Sequence, residues 1–218
     1  MVTLNTLDSL IDDILEEARN NNVSESESIT RIQLEQWIHQ YRALLIKQDL
    51  DKGRYTNPSY IQSYDTAIND FDAGIDNRVY YSTPIPNTID LHFKSGITGI
   101  IFHDRELQLM PSSRVSHQLN KKYSSKEPIA FLKNNILTIS VIDTADLLSY
   151  DTVTISGIFE DPSQVDGFLS SNVYPIPANM IPTLKQLIFE KEFKVTLNFP
   201  TDDKNNSNNE LRTTPQQK

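Results

Sequence analysis

A group of carboxylates near the N-terminus could act as general acids or bases. Asp12-Asp13 and Glu16-Glu17 lie close together in one acidic stretch. General acid–base catalysis requires a carboxylate that is shielded in a cleft, where its pKa shifts toward the working pH. These carboxylates fall on the side of a predicted helix opposite its apolar stripe, so we interpret them as a solvated helix face.

The histidines are a second set of residues with chemical potential, because imidazole binds metals and transfers protons. His39, His92, His103 and His117 are scattered along the chain, and no two of them are four residues apart. A metal site built from distant histidines and carboxylates remains open. The spacing favours surface or packing roles, and we expect no metal and no cofactor.

The motifs of catalysis and nucleotide binding are missing from the sequence. It contains no GxxxxGK[ST], GxGxxG, HExxH or GxSxG pattern, and no cysteine that could serve as a nucleophile or thiolate ligand. The glycines of Gly96-Ile97-Thr98-Gly99-Ile100 precede no predicted helix, so this stretch predicts a bending strand instead of a phosphate-binding loop. We therefore expect a protein without catalytic activity.

The overall composition describes an acidic chain that can fold. Its 218 residues carry a formal net charge of -9, and 38% of them are hydrophobic. Because DNA contact depends on lysine and arginine displacing counterions, this balance argues against a general nucleic-acid binder. The N-terminus lacks the basic start of a signal peptide, and no stretch reaches the roughly 20 apolar residues of a membrane span. We expect no membrane association and a chain that stays in the compartment where it is made.

Two N-terminal helices are predicted by apolar residues at steps of three and four, which place them on one helical face. The first stripe consists of Leu7, Leu10, Ile11, Ile14, Leu15 and Ala18, and the second of Leu34, Trp37, Ile38, Tyr41, Leu44 and Leu45. Thr6 and Thr30 are candidate N-caps, and Gly53 can end the second helix in a left-handed conformation. We expect residues 1–56 to form a helical hairpin.

A third helix is predicted after the stiff Tyr174-Pro175-Ile176-Pro177 segment, starting near Asn179 and running toward Phe193. Residues 177–199 should pack on the hairpin, because the helical pair leaves an apolar flank that needs a cover. The shared core is predicted to contain Leu10, Ile14, Trp37, Tyr41, Leu184 and Ile188. Residues 200–218 contain almost no apolar side chain, so we expect an extended or disordered tail.

The intervening residues, 57–176, show the alternating pattern of short antiparallel strands. Strands are predicted at 66–71, 78–82, 97–102, 107–110, 129–132, 136–142 and 152–159. Asn134-Asn135 should form a tight hairpin, and residues 103–106 should turn strand 97–102 back onto 107–110. Residues 111–128 form a long polar loop, of a length that is usually functional or disordered. The predicted fold is therefore α+β, with an antiparallel β sandwich or barrel inserted between the helices.

Three blocks of the sequence resemble structural proteins of crAss-like tailed phages, which form rings between the portal and the tail. They are ITRIQLEQWIHQYRALLIKQDLDKGRYTNPSYIQ, SGITGIIFHDRELQLMPSSR and PIAFLKNNILTISV. The order of two helices, a β insertion, a C-terminal helix and a tail is also similar to head-to-tail adaptors of short-tailed phages. This resemblance implies a non-enzymatic virion protein of the neck or tail, made in the host cytoplasm.

The same resemblance implies the partners of the chain. The subunits would form a homo-oligomer, a twelve-fold ring, that contacts the portal protein and other neck or tail ring proteins. Genomic DNA would pass through the lumen without specific binding. An acidic wall agrees with such a passage, because negative charge repels phosphates and lets the duplex slide.

Subunit contacts in a ring are heterologous, so each chain needs two distinct surface patches. The connector after the second helix and the 111–128 loop are our candidates, because they carry aromatic or basic residues in an otherwise acidic chain. The candidate subunit-interface residues are Arg54, Tyr55, Asn57, Pro58, Tyr60, Arg114, Lys121 and Lys122. The alternative for Tyr55 and Tyr60 is that their rings simply pack over the strands.

Two other classes of function stay open. One is a β-sandwich module that binds carbohydrate or protein and uses Tyr80-Tyr81 and Tyr123 as its binding face. The other is a hydrolase whose residues come together from distant positions, although the sequence indicates no nucleophile. Ligand binding by a purified monomer would favour the binding module.

Overall fold

The computed structural model of the chain describes residues 5–20, 29–53, 55–67, 70–73, 78–91, 95–102, 104–120, 127–142 and 152–194. Within these residues, three long helices and one short helix accompany two β-sheets, so the α+β fold class is confirmed. The tail predicted at 200–218 lies outside the described residues.

Hydroxyl side chains cap the two N-terminal helices. The helices of the described residues are α1 (Leu7–Asn20), α2 (Arg31–Asp51), α3 (Val115–Leu119) and α4 (Ile181–Lys191). At the start of α1, the amide of Ser9 donates to Thr6 Oγ1 over 3.1 Å. At the start of α2, the amide of Gln33 donates to Thr30 Oγ1 over 3.2 Å. Each hydroxyl satisfies an amide that has no partner inside its helix, which confirms the predicted caps.

Glycine and proline set the other helix boundaries. Gly53 follows α2 with a φ of +73°, and its amide donates to Leu50 O over 3.0 Å, as expected for a left-handed helix stop. Helix α4 follows a 3-10 turn at Ala178–Met180 and carries Pro182 in its first turn. A proline there lacks only an amide that would be unpaired anyway, so it fits the predicted start.

The three long helices pack against one another around an apolar core, as predicted. The buried members of this core are Leu7, Leu10, Ile11, Ile14, Ala18, Leu34, Ile38, Tyr174, Ile176, Leu184, Ile188, Phe189 and Phe193. Trp37 and Tyr41 are only half-buried at its edge. The Trp37 ring packs edge-on against Phe193, with the ring centroids 6.0 Å apart.

The buried face of α2 differs from the predicted stripe. Leu44 is 42% exposed, whereas His39, Arg42 and Ile46 are buried. The cause is that α2 packs on two partners. Its first half contacts α1 and α4, and its second half contacts segments between the strands through Ile46. The buried surface therefore turns around the helix and takes in polar residues.

The described β region contains nine strands in two sheets. The strands are β1 (Gln62–Ala67), β2 (Asp70–Ala73), β3 (Arg78–Pro84), β4 (Ile97–Phe102), β5 (Arg105–Glu106), β6 (Leu109–Pro111), β7 (Ile129–Lys133), β8 (Ile136–Ile142) and β9 (Thr152–Gly157). One sheet has the order β1-β9-β4-β5, and the other has the order β2-β3-β8-β7-β6. Ile100 and Ile155 of the first sheet share a core with Leu137 and Ile139 of the second. The arrangement is therefore a sandwich of two open sheets and not a barrel.

Both predicted turns are present. Asn134 and Asn135 have φ values of +53° and +59° and join β7 to β8, which pair antiparallel. Positive φ at both central residues is typical of tight hairpins, and asparagine tolerates it better than most residues. Asp104, with a φ of +56°, turns β4 back onto the short β5.

Two details of the strand prediction are wrong. The strand predicted at 66–71 is divided, because β1 belongs to one sheet and β2 to the other. Residues 107–110 do not form a full antiparallel partner of β4. The amide of Leu107 donates to Ile100 O over 2.8 Å, and the chain then crosses to the other sheet, where β6 pairs parallel with β7.

The parallel pair gives the long polar segment after β6 a structural role. Parallel neighbours need a long crossover connection, since a short hairpin joins only antiparallel strands. The chain between β6 and β7 makes this connection and includes a 3-10 turn at Ser112–Arg114 and helix α3. The loop predicted at 111–128 is therefore partly helical, and its residues 121–126 lie outside the described residues.

Gly96 allows two segments of the sandwich to approach closely. A Cβ atom at this position would lie 2.7 Å from Thr88 Cβ and 2.9 Å from Ile89 O. Directly afterwards, the pairing of β4 with β9 shifts register between Ile97 and Gly99. The glycine-containing stretch is a bent strand, as predicted, and not a phosphate-binding loop.

Candidate subunit-interface site

The N-terminal carboxylates form the solvated face that the sequence predicts. Asp12, Asp13 and Glu16 are exposed on α1. Lys185 of α4 lies 3.4 Å from Asp13 and 3.9 Å from Glu17, so it balances part of this charge at the surface. Within the described residues, no group of three histidine, cysteine or carboxylate side chains is placed to hold a metal ion.

The connector after α2 exposes one aromatic ring and buries the other. Tyr55 is 99% exposed, and Asn57 and Pro58 are exposed beside it. The amide of Ser59 donates to Asn57 Oδ1 over 3.0 Å, which fixes the 3-10 turn that follows. Tyr60 is only 1% exposed. Arg54 lies outside the described residues.

Tyr60 joins the helices to the sandwich instead of facing outward. Its ring packs with Ile46, Ile89 and Ile158, and its hydroxyl donates to Asp49 over 2.9 Å. The packing alternative therefore holds for Tyr60, and its ring is not free to contact a neighbouring molecule. Tyr55, Asn57 and Pro58 remain as the accessible part of the candidate interface.

The basic candidates lie in the crossover between β6 and β7. Arg114 is exposed at the end of the 3-10 turn before α3, and Lys121 and Lys122 lie outside the described residues. Among the described residues, no hydrogen bond or ion pair connects Arg114 to the connector. Arg114 lies in the 3-10 turn that follows β6, and the connector residues follow α2.

A polar network that sequence reasoning missed lies beneath α2, and we call it the α2 junction (His39, Arg42, Asp161 and Tyr174). Arg42 is 0% exposed. Its Nε donates to Pro175 O and its Nη1 donates to Phe159 O, each over 2.8 Å. One arginine thus ties α2 to the chain leaving β9 and to the chain entering α4. Buried carbonyls without donors would be costly, so these two bonds fix the position of the helix.

Arg42 is buried without a carboxylate partner within ion-pair distance among the described residues. Burial lowers the pKa of its guanidinium, an effect that Tyr174 and Asp161 oppose. The guanidinium carbon lies 5.8 Å from the centre of the Tyr174 ring, a distance suited to a cation–π contact. Arginine keeps its charge even when buried, so the aromatic ring and the two carbonyls replace part of its hydration, while its Nη2 has no hydrogen-bond partner among the described residues.

His39 is the second buried polar residue of the α2 junction, with 7% of its surface exposed. Its Nδ1 lies 2.7 Å from the Tyr174 hydroxyl. Burial raises the pKa of Tyr174 above its usual range, so the hydroxyl keeps its proton and can donate to Nδ1. Burial also lowers the pKa of His39, although Asp161 and Glu35 oppose that shift. A neutral ring that accepts at Nδ1 carries its hydrogen on Nε2.

The Nε2 atom of His39 points toward two carboxylates without bonding to either. It lies 3.5 Å from Asp161 Oδ1 and 3.7 Å from Glu35 Oε1, and no described residue forms a hydrogen bond with it. Burial alone would raise the pKa of Asp161, but hydrogen bonds from Ser163 and the nearby His39 outweigh it and leave that pKa below its usual range. Asp161 is therefore ionised near neutral pH.

A groove runs over the outer face of α2 beside this network. The α2 groove has a volume of about 510 Å3 and is lined by Gln36, His39, Gln40, Tyr41, Ala43, Leu44, Lys47, Ile89, Glu160 and Asp161. Ala43, Leu44 and Ile89 supply an apolar wall, and Glu160 and Asp161 supply negative charge. Such a site can bind an apolar side chain next to a cation.

A second exposed apolar surface lies at the N-terminal end of α2. We call it the α1-start patch, and its exposed members are Ile32 at 68%, Leu169 at 61% and Val173 at 61%. Arg31 and Ser170 both bind the Asp8 side chain, so Ile32 and Leu169 flank the first turn of α1. Val173 pairs with Thr6 in an isolated β-bridge at the same place. The patch and Tyr55 are separated by the length of α2, about 30 Å.

The alternative binding face of tyrosines is not assembled as predicted. Tyr81 is 8% exposed and packs against Phe102 in the sandwich core, with the ring centroids 5.8 Å apart. Tyr80 is half-buried, and Tyr123 lies outside the described residues. The prediction that Tyr80-Tyr81 presents two rings to a ligand is therefore wrong for Tyr81.

A family model described as CrAss_Ring_2, phage tail ring protein 2, matches residues 9–211. The chain belongs to this family. The match covers both helical regions and the whole sandwich, so the resemblance to ring proteins of crAss-like phages is confirmed. As a phage tail ring protein, the chain is a component of the virion. No curated protein has a matching sequence. In the part of the chain that the structure describes, no helix has the length and apolarity to cross a membrane.

Proposed function

We propose that this chain is a subunit of a closed ring in the phage neck, where it joins the portal to the tail. The observation that carries the proposal is the match to phage tail ring protein 2 over nearly the whole chain. The similarity to head-to-tail adaptors supports twelve copies in the ring. The portal protein and other neck or tail ring proteins are then the partners above and below it.

The exposed surfaces agree with heterologous contacts between copies. A cyclic ring needs two different patches on each subunit, facing opposite neighbours. The α1-start patch and Tyr55 display apolar side chains at opposite ends of α2, and exposed apolar surface is typical of interaction sites. Arg114, with Lys121 and Lys122, remains a further candidate for contact with a differently charged neighbour.

The charge of the chain favours a channel through which DNA slides. The net charge of -9 gives a ring of such subunits a strongly negative field. Negative walls repel phosphates, whereas lysine and arginine would hold the duplex by releasing counterions. We propose that genomic DNA passes through the lumen without specific binding.

We further propose that the chain acts by assembling and not by turning over a substrate. The polar residues of the α2 junction are committed to packing, because Arg42 bonds to backbone carbonyls and His39 bonds to Tyr174. A tyrosine whose pKa is raised by burial is a poor nucleophile. Support for this proposal also comes from the family, whose description is structural.

Electron microscopy of virions, and of the purified chain mixed with its portal protein, tests the proposal. We expect a closed ring at the neck, with a lumen wide enough for duplex DNA. The portal protein without the chain is the control and should lack the extra ring density. Absence of the chain from purified virions, or a monomer with hydrolytic activity, would overturn the proposal.

A further inference from the structure

The α2 groove has the features of a site whose occupant comes from outside the described chain. In its apolar wall, Leu44 is 42% exposed and accessible to an occupant, whereas Ala43 and Ile89 belong to the packing around Tyr60 and form the floor. His39, at 7% exposure, lines the groove with an Nε2 that has no hydrogen-bond partner among the described residues. An unpaired buried donor is costly, which indicates that a hydrogen-bond acceptor, such as a backbone carbonyl of a bound segment, completes the site.

The charge of the groove selects the chemistry of its occupant. Glu160, Asp161 and Lys47 line the groove, and Glu35 Oε1 lies 3.7 Å from His39 Nε2. Carboxylates therefore outnumber cations around the groove. An occupant that combines an apolar side chain with a neighbouring arginine would match both the wall and the charge.

The C-terminal sequence contains one such pair. After Pro200, Leu211 is the single hydrophobic residue, and Arg212 follows it directly. Glu210 directly precedes this pair, but residues 205–218 contain one carboxylate against two cations, Arg212 and Lys218. Residues 195–204, which hold the earlier apolar side chains up to Phe199, contain two carboxylates, Asp202 and Asp203, against one cation, so the carboxylates of the groove favour residues 205–218. The pair at 211–212 is therefore the better match.

The length of this segment allows it to reach a neighbouring subunit. The described chain ends at Lys194, directly after Phe193 packs against Trp37 of α2. Seventeen further residues lead to Leu211, and an extended chain of that length spans up to about 55 Å. This reach exceeds the length of α2, about 30 Å, so the pair at 211–212 can bind a groove on the next copy in a ring.

We propose that Leu211 and Arg212 of one subunit occupy the α2 groove of the adjacent copy in the ring. Leu211 packs on Ala43 and Leu44, and Arg212 pairs with the carboxylates of Glu160 and Asp161. The inference rests on the proposed ring function and names one of its contacts. A single short segment binds weakly, but repetition around a closed ring raises the effective concentration of every such contact.

Peptide binding tests whether the groove recognises this pair. The receptor is the full chain carrying Leu211→Asp and Arg212→Glu, which vacates its own site, and the probe is a synthetic peptide of residues 205–218. We expect saturable binding by calorimetry that weakens at least about tenfold when the receptor also carries Glu160→Lys or Leu44→Asp, since each removes one half of the match.

Matched controls distinguish binding at this site from nonspecific binding of the peptide. Glu106→Lys makes the same charge change on an exposed residue of β5, and Ile136→Asp makes the same apolar-to-acidic change at a site that is 44% exposed against 42% for Leu44. Both controls should bind the peptide like the parent receptor. A peptide of residues 195–204 should not bind. Equal binding by Glu160→Lys and Glu106→Lys, or no binding at all, overturns the inference.

Mixing two variants decides whether the contact is between copies. Leu44→Asp disables the groove, and Leu211→Asp disables the C-terminal segment, so neither variant alone should form rings. Their mixture contains one intact groove and one intact segment, and we expect heterodimers by native mass measurement. A mixture that stays monomeric while the peptide still binds would place the segment in its own groove and overturn the contact between copies.

The outcomes for the inference and for the proposed function are separable. If the unmodified chain forms rings and Leu44→Asp forms them equally well, the groove contact is wrong and the ring function stands. If the unmodified chain forms no rings but the peptide binds with the expected selectivity, the ring function is wrong while the groove still recognises the pair.

Discussion

The core between the two sheets and the His39, Arg42 and Tyr174 side chains of the α2 junction are both buried, but the two regions differ in the chemistry of their side chains. The sandwich core is built from Ile, Val, Leu and aromatic rings that alternate along neighbouring strands. The α2 junction instead contains a buried arginine and a buried histidine, held by segments more than 100 residues away in sequence. Apolar cores tolerate small changes of shape, whereas buried polar networks lose stability when one member leaves its partners unpaired.

Removing Arg42 should give the largest difference between the two regions. Arg42→Leu keeps an apolar body but leaves Pro175 O and Phe159 O without their donor, and we expect a loss of about 3–5 kcal/mol in the free energy of unfolding. Ile155→Val in the sandwich core should cost only about 1 kcal/mol, since one methyl group is lost. Urea unfolding of both variants measures the contrast.

An exposed arginine provides the control for Arg42→Leu. Arg31 is about half exposed, with 50% of its side chain accessible, and it pairs with Asp8 at the surface. Arg31→Leu should therefore change stability by less than about 1 kcal/mol. If Arg42→Leu is no more destabilising than Arg31→Leu, the polar network does not hold α2 in place.

Trp37→Ala should have a smaller effect than Arg42→Leu, because its ring contributes to the helical core from the edge. The sequence alone would suggest about 3–5 kcal/mol, the usual cost for a large aromatic residue in a core. Since Trp37 is half-buried and contacts Phe193 with one edge, we expect about 2–3 kcal/mol. Denaturant unfolding monitored by circular dichroism measures it. A loss below about 1 kcal/mol would show that the ring serves as a surface anchor.

Acidification should weaken the α2 junction before it affects the sandwich core. Burial holds the pKa of His39 below its usual value of 6.5, while Asp161 and Glu35 oppose this shift and Arg42 reinforces it. The unfolded chain therefore binds a proton at a higher pH than the folded chain. Stability falls as the pH drops from the unfolded pKa of His39 toward the lower folded pKa, because the unfolded state then binds more protons.

His39→Gln isolates this contribution. The variant should lose less stability than the parent chain between about pH 7.5 and about pH 5, since glutamine does not titrate there. His117→Gln is the control, because His117 is exposed on α3. The depressed pKa of Asp161 acts at lower pH, and the hydrogen bonds from Ser163 that lower it remain in all three chains. If the free energy of unfolding of the parent chain and of His39→Gln depends on pH in the same way, the lowered pKa of His39 is not the cause of the acid sensitivity.

The sandwich and the helical core were largely predictable, because each follows a local rule. The alternation of side chains along a strand, the hairpin at Asn134-Asn135 and the N-cap at Thr30 each depend on interactions between residues close in sequence. The parallel pairing of β6 with β7 was not predictable in this way, since it depends on the path of the chain between two layers. The sequence contains one indication of the buried arginine, because Arg42 lies four residues from both Ile38 and Ile46 and therefore shares their buried face of α2.

The candidate interface was predictable only in part, because exposure is decided by packing and not by residue type. Two tyrosines lie five positions apart, yet Tyr55 is 99% exposed and Tyr60 is 1% exposed. Asn57 and Pro58 start a 3-10 turn between them, and this turn carries Tyr60 inward onto Ile89 and Ile158. No composition or spacing rule distinguishes the two rings before the turn is formed.

This pair of tyrosines also gives the smallest expected effect on stability. Tyr55→Ala should change the free energy of unfolding by less than about 0.5 kcal/mol, since the ring buries almost no surface in the folded subunit. Tyr60→Ala should cost about 3–5 kcal/mol, as for other buried aromatics. If Tyr55 contacts a neighbouring copy, its removal should nevertheless raise the protein concentration needed for ring assembly, measured by light scattering. Unchanged assembly by a stable Tyr55→Ala chain would remove the connector from the interface and leave the α1-start patch and the α2 groove to supply the contacts between copies.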